Sequence, residues 1–170
     1  YHFGSTHLTL GGLKFFIDGS IQGFTAALIE DYHSRPGHRG ALLLPERDID
    51  ALVAAHHQLG IQVAIHANGD LAVEAALRAF EKAVSAYGHK PLHHMIVHAQ
   101  TASDGQLERM KACGIIPSFF ARHIEVWGDR HAAIFLGPER TDRLNPAGSS
   151  VRLGMPFTLH VDTPVLPVTA

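Results

Sequence analysis

Short apolar segments alternate along this chain with amphipathic stretches. Five of the apolar segments are rich in Ile, Val and Phe and too short for helices, which is typical of strands buried in a parallel sheet. They span residues 13–17, 61–65, 94–97, 115–120 and 157–161. Between them, apolar residues recur about every 3.6 positions, which predicts amphipathic helices. The predicted helices cover residues 46–59, 70–84, 103–110 and 146–153.

Glycine marks the point where a predicted helix gives way to a strand. Gly60, Gly114 and Gly154 each follow a helical pattern directly, where a left-handed C-cap favours glycine. Helix, glycine and strand repeated three times indicate βα units and a parallel sheet. At 170 residues we expect a single α/β domain, residues 1–170. The polar stretches 19–40 and 128–143 are predicted as long loops, which in barrel enzymes carry substrate contacts.

Titratable residues stand where three of the predicted strands end. His66 and His98 each close an apolar strand in the same way, and Asp162 follows the last strand. The carboxyl ends of parallel strands meet at one mouth of a barrel, so these side chains are expected to converge. Imidazole and carboxylate are zinc ligands, and the carboxylate can also take a proton from an activated water. Lys14 lies inside an apolar strand, where a buried ammonium must be paired, neutralised or modified.

Composition excludes some classes of protein. Lys and Arg number 14 against 16 Asp and Glu, so no basic face is expected and nucleic acid is not a predicted partner. No apolar run approaches the ~18 residues of a membrane span. The single cysteine, Cys113, cannot form an intrachain disulfide and indicates the cytoplasm. The chain opens on Tyr1 rather than Met, and we expect a fragment of a longer protein.

The segments around these residues resemble the amidohydrolase superfamily. The resemblance is closest to the amidohydrolase family 3 branch, which includes N-substituted formamide deformylase-like proteins. Together the matching segments cover most of the chain in the family's order. They are LKFFIDGSIQGFTAAL (13–28), GIQVAIHANGDLAVEAALRAFE (60–81), HHMIVHAQ (93–100), FFARHIEVWGDRH (119–131), FLGPERTDRLNP (135–146) and FTLHVDTPVLP (157–167).

The resemblance implies a partial (β/α)8 TIM-type barrel, with this chain supplying about strands four to eight and the intervening helices. It implies Lys14 as the strand-four lysine, which can be carboxylated to bridge two metals. His66 and His98 would be metal ligands on strands five and six, and Asp162 on strand eight would be both ligand and general base. The implied cofactor is zinc, as one or two divalent ions.

The resemblance also implies a reaction. The parent enzyme would hydrolyse C–N bonds of the amide type, other than peptide bonds, in small molecules by means of a metal-activated water. The segment after strand seven would contact the substrate through His123, Trp127, Asp129 and His131.

Two departures from the family leave other functions open. No His-x-His pair of the kind found on the family's strand one occurs in the sequence, and strands one to three are not represented. We therefore expect association with another chain to cover the open barrel edge. Val161 also stands where the family usually has Ser. The alternatives are a catalytically incomplete fragment or non-enzymatic binding protein, and another TIM-barrel metal hydrolase acting on esters or phosphotriesters.

Overall fold

Five parallel strands form the central sheet of the protein. A computed structural model describes residues 4–9 and 11–165. A short antiparallel hairpin of β1 (Gly4–Ser5) and β2 (Leu8–Thr9), which the sequence did not predict, comes first. The parallel strands follow: β3 Gly12–Phe16, β4 Gln62–Ala67, β5 Met95–His98, β6 Ile116–Phe119 and β7 Thr158–Leu159.

The order of the strands identifies the architecture. Strands β3 to β7 pair in the order in which they occur in the sequence, each parallel to the next. A doubly wound sheet reverses its order at a switch point, whereas a (β/α)8 barrel adds each strand on the same side. The chain is therefore part of a TIM-type barrel, as predicted. Among the described residues, no strand pairs with the outer edge of β3 or of β7.

Helices connect these strands close to the predicted positions. Gly60, Gly114 and Gly154 have φ angles of +74°, +69° and +61°, the left-handed conformation predicted for them. Ser103 and Gln106 form a reciprocal capping box at the start of the third helix. No helix in the described ranges is long and apolar enough to cross a membrane. The helices are α1 Glu46–Gln58, α2 Asp70–Tyr87, α3 Asp104–Cys113, α4 Arg122–Arg130, α5 Pro138–Thr141 and α6 Ala147–Arg152.

The main core lies between the sheet and helices α1 to α3. Val63 and Ile65 of β4 and Ile96 of β5 are buried against Val53 of α1 and Phe80 of α2. Alternate strand residues point to opposite faces, so this packing assigns the remaining strand positions to the barrel interior. The residues at the carboxyl ends of the strands are thereby held on a rigid support.

The segment 128–143, predicted as a loop, is largely helical. Helix α4 ends at Arg130, a π-helical turn spans His131–Phe135, and α5 follows. The prediction was wrong because Phe135 and Leu136 bury themselves in a second core with residues of the 19–40 loop. That loop is irregular as predicted, and it folds over the helical segment rather than into solvent.

Candidate metal centre

The carboxyl ends of β5 and β7 bring three possible ligands together. His98, His160 and Asp162 each offer one ligand atom, and these atoms lie within 4.8 Å of one another. Nε2 of His98 is 3.6 Å from one carboxylate oxygen of Asp162, and Nε2 of His160 is 3.8 Å from the other. Two of the residues singled out in the sequence, His98 and Asp162, are therefore adjacent in the fold.

His160 is the member of this group that the sequence analysis missed. Its Nδ1 lies 2.9 Å from the Ser118 hydroxyl, and its Nε2 lies 3.3 Å from Nδ1 of His98. A signal was present, because residues two apart on a strand share a face and His160 precedes Asp162 by two positions. Both residues lie in the segment that directly follows β7.

His66 closes β4 next to this group. Its ring centroid is 4.5 Å from that of His98. Nε2 of His66 lies 3.3 Å from the Gly19 carbonyl and 3.2 Å from the side-chain nitrogen of Asn68. Nδ1 of His66 is buried with no hydrogen-bond partner among the described residues. A buried nitrogen of this kind is costly unless a further group binds it.

The loop that follows His66 is held in place by Asp18. The buried carboxylate of Asp18 accepts hydrogen bonds from the backbone N–H groups of Ala27, Asn68 and Gly69, at 2.9–3.0 Å. Burial raises the pKa of Asp18 to about 6, and the three hydrogen bonds oppose that rise. Asp18 thus joins the end of β3 to the loop after β4, and its carboxylate also lies 3.6 Å from Nε2 of His66.

Burial favours the neutral form of the imidazoles in the centre. Burial, reinforced by the neighbouring His66 and His160, lowers the pKa of His98 to about 2. Burial likewise lowers the pKa of His66 and of His160. Metal binding requires deprotonated ligand nitrogens, so the site holds its histidines in the form that a metal ion needs.

Backbone strain is concentrated at the same place. His98 and Ala99 have φ angles of +72° and +45°, in the left-handed region that residues with a side chain rarely adopt. The Ala99 N–H donates to the Ala67 carbonyl at 3.0 Å, which ties the strained turn to β4. Such strain persists where the surrounding structure enforces it, and it is common at functional sites.

Lys14 lies on an edge strand of the sheet. Its side chain is exposed rather than buried, and its Nζ lies 5.0 Å from the ring centroid of Phe16. The reason is that β3 forms an edge of the sheet, and no described residue covers this part of its inner face. Lys14 is near enough to lower the pKa of His66 and His98 but is outside the group of three ligands.

The donor set fits a divalent metal ion. Imidazole nitrogens and a carboxylate oxygen are the ligands that zinc prefers at catalytic sites. The unpartnered Nδ1 of His66 and the close approach of His98 and Asp162 are both features that a bound cation would satisfy. The arrangement can therefore hold a metal at the mouth of the sheet.

A cavity of about 430 Å³ opens beside these ligands. It is lined by His66, His98 and Asp162 and by aromatic residues. His123 and Trp127, predicted as substrate contacts, both line it. The other lining residues are Ser20, Gln22, Asn68, Phe120, Arg130, Phe135 and Val165.

Asp129 and His131 do not line this cavity. Asp129 lies on the exposed side of α4. His131 is fully buried behind the cavity wall, between the terminal amides of Gln22 and Gln100 at 3.1 and 3.5 Å. Direct substrate contact by either residue stays a prediction, and His131 is placed to act through its neighbours.

Comparison with known sequences shows which proteins the chain is similar to. Residues 1–170 match the amidohydrolase family. The chain is 33% identical over 120 residues to Protein LONG AFTER FAR-RED 3 of Arabidopsis thaliana. It is 34% identical over 103 residues to Putative amidohydrolase YtcJ of Bacillus subtilis strain 168. These alignments cover 71% and 61% of this chain but only 21% and 19% of the relatives.

Solved structures with the same fold are also longer than this chain. An uncharacterized metal-dependent hydrolase from Pyrococcus furiosus matches 98% of the chain with a TM-score of 0.82 and 30% identity. A second, from Pyrococcus horikoshii OT3, matches 98% with a TM-score of 0.82 and 29% identity. The chain spans 33% and 32% of those two proteins, about a third of each.

Proposed function

Because the chain belongs to the amidohydrolase family, we propose that the complete protein is a metal-dependent hydrolase. Its substrates would be small molecules with a C–N bond of the amide type, other than a peptide bond. The observation that carries the proposal is the convergence of His66, His98 and Asp162 beside a cavity of about 430 Å³. This chain would supply the carboxyl-terminal share of the catalytic centre.

The proposed cofactor is zinc, as one or two ions. His66 would bind through its unpartnered Nδ1, and His98 and Asp162 through the atoms that already face each other. His160 would join them or support Asp162. Lys14 is a further candidate, whose carboxylation would turn its amine into an anionic ligand. When bound, the metal would polarise the substrate carbonyl and lower the pKa of water.

Asp162 is the proposed general base. Its two oxygens lie 3.6 Å from His98 and 3.8 Å from His160, at the cavity wall. It would accept a proton from the attacking water as the new C–O bond forms and pass it to the leaving nitrogen as the C–N bond breaks. His160, fixed by Ser118 through Nδ1, keeps its other nitrogen toward this carboxylate and limits its movement.

The aromatic wall suggests the kind of substrate. Phe120 and Trp127 give the cavity an apolar side, and His123 lies between them with ring centroids 4.0 and 4.9 Å away. An apolar group on the substrate would exclude water from the reacting atoms there. We propose N-substituted formamides or related small amides, with His123 and Trp127 in direct contact and Asp129 and His131 as secondary candidates.

The rest of the centre would come from outside this chain. Phe16, on the inner face of β3, is 55% exposed, and the outer edge of β3 is unpaired among the described strands. Another part of the complete protein, or another chain, is proposed to cover this edge and to add the missing ligands. The cytoplasm remains the proposed location.

A substrate panel with the complete protein tests the proposal. Formamides and other small amides would be compared with esters and phosphotriesters, before and after the metal is removed with a chelator and restored with zinc. Amide cleavage that is lost and regained with the metal is the expected result. Cleavage of esters or phosphotriesters alone would assign a different hydrolase class, and a metal-free, inert protein would indicate a binding function.

A further inference from the structure

Four polar side chains form a connected series behind the cavity. The side-chain nitrogen of Gln22 lies 3.1 Å from Nε2 of His131, and the side-chain nitrogen of Gln100 lies 3.5 Å from Nδ1 of His131. The side-chain oxygen of Gln100 lies 3.1 Å from Nδ1 of His123. Gln100 and His131 are completely buried, whereas Gln22 and His123 reach the cavity.

Gln100 determines which nitrogen of His123 carries the proton. An amide oxygen can only accept, so Nδ1 of His123 must donate to it. The amide nitrogen of Gln100 donates to Nδ1 of His131, which leaves the His131 proton on Nε2. In the structure the amide nitrogen of Gln22 faces this Nε2. A half-turn of the Gln22 amide, which makes no other hydrogen bond among the described residues, would bring its oxygen there as the acceptor.

The second nitrogen of His123 is then left as an acceptor. Nε2 lies across the ring from Nδ1 and makes no hydrogen bond within residues 4–9 and 11–165. It is not one of the fully buried side-chain atoms without a partner, so it is accessible from the cavity. Phe120 and Trp127 pack against the ring with centroids 4.0 and 4.9 Å away and restrict its rotation. The lone pair of Nε2 therefore faces the cavity.

We infer that Gln100 is a positioning residue that fixes His123 as the Nδ1–H tautomer, so that Nε2 selects substrates with an N–H next to the scissile carbonyl. This inference rests on the proposed function. A secondary amide supplies the N–H that this acceptor lacks, whereas an N-methyl amide or an ester supplies none. A substrate analogue that leaves a buried polar group of the site without a hydrogen bond is strongly disfavoured.

The first test reads the tautomer directly and needs no activity. In the complete protein with ¹⁵N-labelled histidine, NMR correlations between ring nitrogens and carbon-bound protons distinguish Nδ1–H from Nε2–H. The His123 signals are identified by their loss in His123→Asn. The expected result is Nδ1–H for His123 in the unmodified protein, and an Nε2–H form would overturn the inference.

The second test measures selectivity. The ratio of kcat/KM for N-phenethylformamide to that for its N-methyl derivative is compared between the unmodified protein and Gln100→Met. Loss of one hydrogen bond should reduce this ratio by about tenfold. Gln100→Glu keeps an acceptor for Nδ1 of His123 and should retain the ratio. Gln106→Met is the matched control, because Gln106 is a buried glutamine of α3 bonded to Asp70 and Glu74 outside the centre.

The outcomes separate this inference from the proposed function. An unchanged ratio in Gln100→Met, or an equal fall in Gln106→Met, would contradict the role given to Gln100. If neither formamide is cleaved by the unmodified protein, the proposed function fails, and the tautomer of His123 measured by NMR still supports or overturns the positioning by Gln100.

Discussion

Buried and half-buried histidines occupy both ends of the same sheet, and the two groups differ in the hydrogen bonds of their ring nitrogens. We call His66, His98 and His160, with Asp162, the carboxyl-end cluster. We call His57 and His94 the amino-end pair. Burial lowers the pKa of His94 to about 4 and that of His98 to about 2, so a low pKa is common to both ends. The distinction between them lies in their hydrogen bonds.

Every ring nitrogen of the amino-end pair has a partner. The Val63 N–H donates to Nδ1 of His94 at 3.0 Å, so the His94 proton is on Nε2. That nitrogen lies 2.9 Å from Nδ1 of His57, and Nε2 of His57 lies 2.9 Å from the Gly88 carbonyl. Donors and acceptors alternate without a gap, which is the pattern of a structural network.

In the carboxyl-end cluster the hydrogen bonding of the ring nitrogens is incomplete. Nδ1 of His66 is buried without a partner, and His98 has a strained φ of +72°. The ligand atoms of His98, His160 and Asp162 face one another instead of the backbone. Burial of a histidine is thus a poor indicator of a metal site, whereas an unsatisfied nitrogen among other donors is a useful one.

The largest expected effect is on catalytic activity, and it should differ between His98 and His94, the histidines at the two ends of β5. In the complete protein, His98→Gln should reduce kcat/KM toward a formamide by about a thousandfold, because several kcal/mol of metal-based stabilisation are lost. His94→Gln, four positions earlier, is the matched control and should stay within about threefold, since a change of that size is under 1 kcal/mol. Equal losses in both variants would remove the contrast between the two ends.

Asp162→Asn should have the next largest effect. Loss of the proposed general base is expected to lower kcat by about a hundredfold, because the amide cannot accept the proton of the attacking water. Steady-state kinetics and metal content measured on the same samples would separate the loss of proton transfer from the loss of metal. Full activity in Asp162→Asn would exclude this residue as the base.

At the amino end the expected effect is on stability. His94→Leu removes the acceptor of the Val63 N–H and the donor to His57, and leaving these buried groups unpaired should cost about 2 kcal/mol. The urea midpoint of the complete protein, with zinc present, measures the change. His56→Gln, which loses a single bond to Leu52 on the surface of α1, should cost less than about 0.5 kcal/mol.

The smallest expected effect is the pH dependence that His94 contributes. Its pKa is about 4 in the folded state, whereas an ordinary histidine has a pKa of 6.5, so the unfolded chain binds more protons between these limits. The stabilising contribution is present above pH 6.5 and is lost as the pH falls toward 4, by about 1 kcal/mol over the first pH unit. Urea unfolding at several pH values should show a shallower slope in His94→Gln. An identical slope would assign the dependence to other groups.

The sequence was sufficient for the strands and the main helices. Their apolar runs and 3.6-residue spacing depend on local pattern, and the glycine caps at Gly60, Gly114 and Gly154 follow from backbone geometry. The helical segment 128–143 was missed because its apolar residues are buried by the distant 19–40 loop. Such a contact has no local signature.

The centre was predicted less completely than the fold. His98 and Asp162 were found as strand-end residues, and the structure places them together. The exposure of Lys14 depends on which strands surround β3, and the orientation of the His66 ring depends on a carbonyl 47 positions away that contacts its Nε2. The bond between His57 and His94 spans 37 positions and was equally invisible in the sequence.

Metal content tests the central claim most directly. Zinc bound per molecule would be measured by elemental analysis in the complete protein, in His66→Gln with His98→Gln, and in His57→Gln with His94→Gln. Circular dichroism would confirm that each variant is folded. The account predicts that zinc is lost only from the variant of the carboxyl-end cluster. Zinc retained in that variant, or lost only from the variant of the amino-end pair, would contradict it.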